Sequence, residues 1–204
     1  VLPIAIYLIL GYIFKIIYQD NSKQLIEFII YFSLPGIVFS KIYPLVLDIK
    51  ILNLILMFIS FILFNLLLAY FVGKMMKLNR ILLATFMIMA TFGNTSFIGF
   101  SYIEAFYGED YIVYGLIYDL FGSFLLLVSI GMFIITWGAG KKNNITHIFK
   151  SIFLFPPSLM FFITILIKHF EGPNFLILTS QTIGSTLVPI AMIAIGMKLE
   201  LKHI

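Results

Sequence analysis

Charged residues punctuate this chain about every twenty positions, and the stretches between them are almost wholly apolar. Residues 51–73 lie uncharged between Lys50 and Lys74, and 81–103 between Arg80 and Glu104. Residues 151–167 lie between Lys150 and Lys168, and 172–197 between Glu171 and Lys198. A helix needs about 20 mostly apolar residues to cross the hydrocarbon of a bilayer. The run 111–137 is broken only by Asp119. Two further runs complete the set: 1–17, with Lys15 near its end, and 25–47, with Glu27 near its start and Lys41 inside it. The pattern predicts an all-α polytopic membrane protein with about seven transmembrane helices. Composition agrees, at 62% hydrophobic and 11% charged, against about 45–50% and about 25% in soluble domains. It excludes a soluble enzyme, a nucleic-acid partner and a disordered chain. The cysteine count of zero excludes disulfides, thiolate metal sites and a cysteine nucleophile.

The basic residues choose a side. Lys15, Lys23, Lys74, Lys77, Arg80, Lys141, Lys142, Lys150, Lys198 and Lys202 fall at alternate loops, 10 of the 13 basic residues. Lys41, Lys50 and Lys168 fall on the opposite side with Glu104, Glu109 and Asp110, read as an acidic loop. The positive-inside rule then predicts an outside N-terminus and a cytoplasmic C-terminus. Asn144-Ile145-Thr146 matches a glycosylation pattern that the cytoplasmic side would leave idle. The first run has no basic leader and no small-residue cleavage site, so it reads as a span rather than a signal peptide. The sequence starts at Val rather than Met, as after trimming of a few residues.

Pro3 and Pro157 lie 154 residues apart, and so do Pro35 and Pro189. Spans 6 and 7 therefore echo spans 1 and 2, although seven prolines also produce matching offsets by chance. A repeat of five helices, an odd number, would insert its second copy upside down, as in many secondary transporters. On this reading residues 1–137 form the first repeat, 138–147 a cytoplasmic loop, and 148–204 the first two helices of a second repeat that is cut short.

Three polar clusters fall at membrane depth, where polar groups are costly and tend to mark function. Span 4 carries Thr91-Phe92-Gly93-Asn94-Thr95-Ser96-Phe97-Ile98-Gly99-Phe100-Ser101. This segment fits either a substrate site at an interrupted helix, with Gly93, Asn94, Thr95, Ser96 and Gly99 around it, or tight helix packing by small residues. Span 5 carries Asp119, eight residues past Tyr111, hence roughly 12 Å along the helix axis. It reads as a proton-coupling or gating carboxyl, or as a structural group bonded to hydroxyls. Span 7 carries Thr179 to Thr186 ahead of Pro189. Pro189 would free the carbonyl of Ser185, and Pro35 that of Tyr31. Prolines at matching places in two halves point to a transporter's central site, whereas either one alone is an ordinary kink. Asn53, Asn65 and Lys41 read as helix–helix and interface contacts. His147, His169 and His203 all lie at span ends without ligand spacing, so no metal, cofactor or catalytic constellation is expected.

Several patches resemble the auxin efflux carrier family of membrane transport proteins. Leu8-Ile9-Leu10-Gly11-Tyr12 is similar to the family's opening segment, and Tyr31-Phe32-Ser33-Leu34-Pro35 to its span 2 Leu-Pro motif. Gly93-Asn94-Thr95 with Gly99 resembles the crossover motif, although Ser101 stands where that motif carries proline. Val188-Pro189-Ile190-Ala191 with Gly196 resembles the second-repeat proline segment, and Tyr118-Asp119-Leu120 a recurrent aromatic-Asp pair. The resemblance covers nearly the whole chain. It implies two inverted five-helix repeats with crossing broken helices 4 and 9, the second of these among three helices this sequence does not carry. It also implies a secondary transporter of a small organic anion such as a carboxylate, in a bacterial-type plasma membrane. Asn94, Thr95 and the Gly93 backbone would then bind substrate, and Asp119 would sense protons or gate. Rival expectations are a non-transporting seven-helix receptor or assembly subunit, and sodium-coupled transport of the bile-acid type. The lipid bilayer is a partner on every reading, and a homodimer is left open.

Overall fold

A computed structural model describes residues 2–46, 48–140, 145–168 and 174–200. These residues are helical with no strand among them. In chain order they form α1 (Leu2–Tyr18), α2 (Ser22–Phe28), α3 (Leu34–Ile42), α4 (Ile49–Met75) and α5 (Arg80–Thr91). There follow α6 (Phe100–Tyr107), α7 (Ile112–Ile117), α8 (Met132–Gly138) and α9 (Ile145–Leu154). The last three are α10 (Pro156–Ile167), α11 (Asn174–Gly184) and α12 (Leu187–Lys198). Five continuous or nearly continuous stretches are long and apolar enough to cross a membrane: Ser22–Ile42, Ile49–Met75, Arg80–Tyr107, Glu109–Gly138 and Asn174–Lys198. Leu2–Tyr18 and Pro156–Ile167 are shorter apolar helices where the first and sixth spans were expected. The sixth begins at Pro156 rather than 151 because Pro156-Pro157 cannot continue α9 but suits a helix's first turn.

The chain divides into two compact units, which are not the expected repeats. A repeat is defined by symmetry and a compact unit by packing, so the two divisions need not coincide. The first unit holds 1–45, 96–115 and 156–204. In it α1 packs along α12, α10 along α3, α3 along α11, and α2 along α12. The first half of span 2 thus meets the second half of span 7, and the reverse, so the two run antiparallel. Lys15 Nζ, at the end of α1, donates to the carbonyl of Leu199 just past α12 at 3.1 Å. Lys168 Nζ, just past α10, donates to the carbonyls of Ile42 and Leu45 at the end of α3. Each lysine sets a cation on carbonyls left open at a helix C-terminus, where the dipole is negative.

Lys15→Gln is expected to lower stability by about 0.5–1 kcal/mol. Thermal melts followed by circular dichroism in detergent measure this. Burial pushes the Lys168 ammonium below its ordinary value near 10.5. The unfolded chain then holds that proton more tightly than the folded one, so this group's contribution makes stability rise with pH between the lowered value and 10.5.

The second unit holds 46–95 and 116–155. Its core is Ile62, Leu66, Ala69, Leu83, Met87 and Leu126, with Phe92 and Tyr118 packed against it. Asn79 accepts a hydrogen bond from the Leu82 N–H at 3.0 Å and starts α5. Asn65, expected to bond a neighbouring helix, instead donates to the carbonyl of Phe61 at 2.9 Å. At that half-buried position the carbonyl one turn back supplies the acceptor within its own helix.

Candidate functional site

In the second unit α5 stops at Thr91, and Phe92 turns extended, with φ −102° and ψ 115°. Phe92, Gly93 and Asn94 lie outside any helix before a π-helical turn, Thr95–Gly99, resumes the span. The interruption needs no proline. It falls where Phe92 can still pack its ring on the unit's core, while Gly93 and Asn94 are exposed. A Cβ at Gly93 would meet nothing within 4 Å, so the space beside the break is open. One residue before it, the Thr91 hydroxyl is buried and finds no hydrogen-bond partner among the described residues.

Asp119 belongs to the same unit and is 7% exposed. It lies in a π-helical stretch, Tyr118–Phe124, of the kind that recurs at functional positions. Its carboxylate accepts a hydrogen bond from the Thr95 hydroxyl. Gly93, Asn94, Thr95 and Asp119 thus lie together in the second unit, while Ser96, Gly99, Pro35 and Pro189 belong to the first.

In the first unit Pro35 and Pro189 each follow an irregular helical turn. Pro35 sits in the first turn of α3, after a π-helical Ile29–Ser33 within a continuous helix. Pro189 sits in the first turn of α12, after a turn at Ser185 and Thr186. The Ser33 and Thr186 hydroxyls, one from each of these turns, are hydrogen-bonded at 2.8 Å. Gly36 and Gly184 let α3 and α11 come close here: a Cβ on Gly184 would stand 2.9 Å from the Ile37 backbone. Such small-residue contacts are how helices approach in lipid.

Glu104, expected in a loop, lies inside α6. The helix runs on to Gly108, whose N–H bonds the carbonyls of Ile103 and Glu104 at 3.2 and 3.1 Å. With φ at +96° Gly108 then turns the chain, a conformation few other residues adopt. Glu104 lines two spaces. One is a cleft of about 40 Å³ shared with Ser40, Lys41, Glu109, Gln181 and Ser185. The other is a cavity of about 370 Å³ shared with Tyr7, Ser101, Val188 and Pro189. Lys41 pairs with Glu109 at 2.9 Å, with 18% of its side chain exposed. Neither the pair nor the place of Glu104 beside these two spaces was legible in the sequence.

The model of the membrane transport protein family matches residues 1–204. The chain belongs to that family. The auxin efflux carrier motifs quoted above are the local signature of the same membership. A curated relative is an uncharacterised transporter of Methanocaldococcus jannaschii, 28% identical over 215 residues. That alignment covers 99% of this chain and 68% of the relative. No solved structure matches the chain. Family and relative make this an integral membrane protein of the transporter class.

Proposed function

We propose that the protein is a secondary transporter that moves a small organic anion, a carboxylate, by alternating access, with substrate held at the interruption of span 4. The observation that carries this reading is a non-helical break at Phe92–Asn94 inside a 28-residue apolar span. Such backbone is tolerated at membrane depth where it is buried in protein or lines a water-filled space, and the exposure of Gly93 and Asn94 favours the second. The orphaned Thr91 hydroxyl beside it supports the same conclusion. The exposed Asn94 amide is placed to hydrogen-bond a substrate carboxylate from the open side of the break. The carboxylate class itself comes from the family resemblance. Asp119 is the coupling or gating group, with its proton state read by Thr95. The exchanged caps of Lys15 and Lys168, and the antiparallel pairing of spans 2 and 7, support the inverted repeat. The basic-residue bias supports an outside N-terminus and a cytoplasmic C-terminus in a plasma membrane of bacterial type.

The test is uptake into proteoliposomes by the whole transporter, with a panel of labelled carboxylates, from mildly acidic to mildly alkaline pH. Saturable uptake with mutual inhibition among carboxylates is expected. Tight binding without flux would instead favour a receptor, and uptake only with sodium would favour a sodium-coupled symporter. Asp119→Asn keeps an oxygen to accept from Thr95 but cannot titrate, so the variant should bind substrate while its uptake loses pH dependence. An unchanged pH profile would make Asp119 a structural group.

A further inference from the structure

An apolar groove of about 500 Å³ runs along the second unit between α5 and α8, lined by Ile81, Ala84, Thr85, Ile88, Ile135 and Gly138. Ala84 and Gly138 let the two helices meet, since a Cβ on Gly138 would collide with the Ala84 methyl. Thr85 adds no free polar group, because its hydroxyl donates to the Ile81 carbonyl at 3.0 Å. The α5 residues from Ile81 to Ile88 cover roughly 10 Å of axis, a large part of a leaflet about 15 Å deep. At the α5 start the Arg80 guanidinium lies over the Trp137 ring at 5.1 Å. Tryptophan is a residue of the membrane–water boundary, and a guanidinium over its ring sits at that boundary with donors suited to a phosphate. Lys74 and Lys77 stand exposed just before it. No acidic residue occurs between Asp48 and Glu104, and Asp119 is the sole one in 116–155; it is buried and bonded to Thr95.

We propose that this groove is a binding site for an anionic phospholipid, with an acyl chain against Ile81, Thr85 and Ile88 and the phosphate on Arg80. Charge complementarity selects this occupant over a neutral lipid or another apolar helix: among the described residues of the second unit the charges next to the start of α5 are Lys74, Lys77 and Arg80, and basic residues beside a helix bundle attract anionic headgroups. A positive-inside bias explains why cations occur on this side, but not why an apolar groove opens beside a guanidinium fixed on an interfacial ring.

Native mass spectrometry of the purified full transporter, titrated with phosphatidylglycerol or phosphatidylcholine, tests the site. Phosphatidylglycerol should bind more tightly than phosphatidylcholine. Arg80→Gln should weaken phosphatidylglycerol roughly fivefold, the worth of one cation near an anionic headgroup, and leave phosphatidylcholine unchanged. Arg80→Lys should keep part of the preference. Thr85→Phe, at an exposed position, should fill the groove and weaken both lipids, while Lys23→Gln, in the first unit, should change neither. Circular dichroism establishes that each variant is folded. Equal affinity for the two lipids, or a loss in Lys23→Gln as large as that in Arg80→Gln, would overturn the proposal.

Discussion

Replacing Asn94 by alanine is expected to weaken apparent substrate affinity roughly 5- to 150-fold, the worth of about 1–3 kcal/mol for a hydrogen bond that bound substrate shields from water. Asn94 is an exposed residue of the non-helical segment Phe92–Asn94 and lies outside the helices on either side. The substitution removes a polar group from membrane depth, which does not hinder insertion. Protein yield and helicity should therefore stay near the parent while uptake saturates at higher substrate. Concentration-dependent uptake in proteoliposomes separates the two effects. Unaltered affinity, or loss of folded protein, would assign Asn94 to packing instead.

Gly11→Leu and Gly196→Leu should each abolish or nearly abolish folded protein. Gly11 of α1 faces the Ile193 carbonyl of α12, and Gly196 of α12 faces the Leu8 carbonyl of α1. A Cβ at either glycine would collide with that backbone oxygen, and backbone cannot rotate aside as a side-chain tip can. Overpacking commonly costs about 1–3 kcal/mol; here the helices must part along their whole seam, so the loss exceeds that range. Gly93→Leu is the matched control, since a Cβ there meets open space. Monodispersity on size-exclusion chromatography of the three variants reads the difference. A monodisperse Gly11→Leu protein would mean that α1 and α12 do not pack as closely as described.

The spacing of charges was enough to locate the apolar helices, because a bilayer imposes one length on every crossing. Even so, Pro156-Pro157 shortened the sixth helix by opening it later than the charges implied. The break in span 4 was legible as a polar, glycine-containing stretch, although the family's proline is absent at Ser101. What holds it, the packing of Phe92 and the bond from Thr95 to Asp119, depends on residues far apart in sequence. For the same reason nothing local announced that Lys15 caps α12 or that Lys168 caps α3. Glu104 was misread as a loop residue because the helix end is set by Gly108, four positions later, and not by the first charge encountered.

The most direct test of a substrate site at the interrupted span is the accessibility of Gly93→Cys. These 204 residues hold no cysteine, so in the whole transporter with any other cysteine replaced by serine the introduced thiol is the one labelled, and the open space beside Gly93 accommodates it. Alternating access predicts that a membrane-impermeant maleimide added from either face of oriented vesicles reaches the thiol, and that a transported carboxylate slows labelling from both. Labelling from one face only, at a rate the carboxylate does not change, would contradict the account.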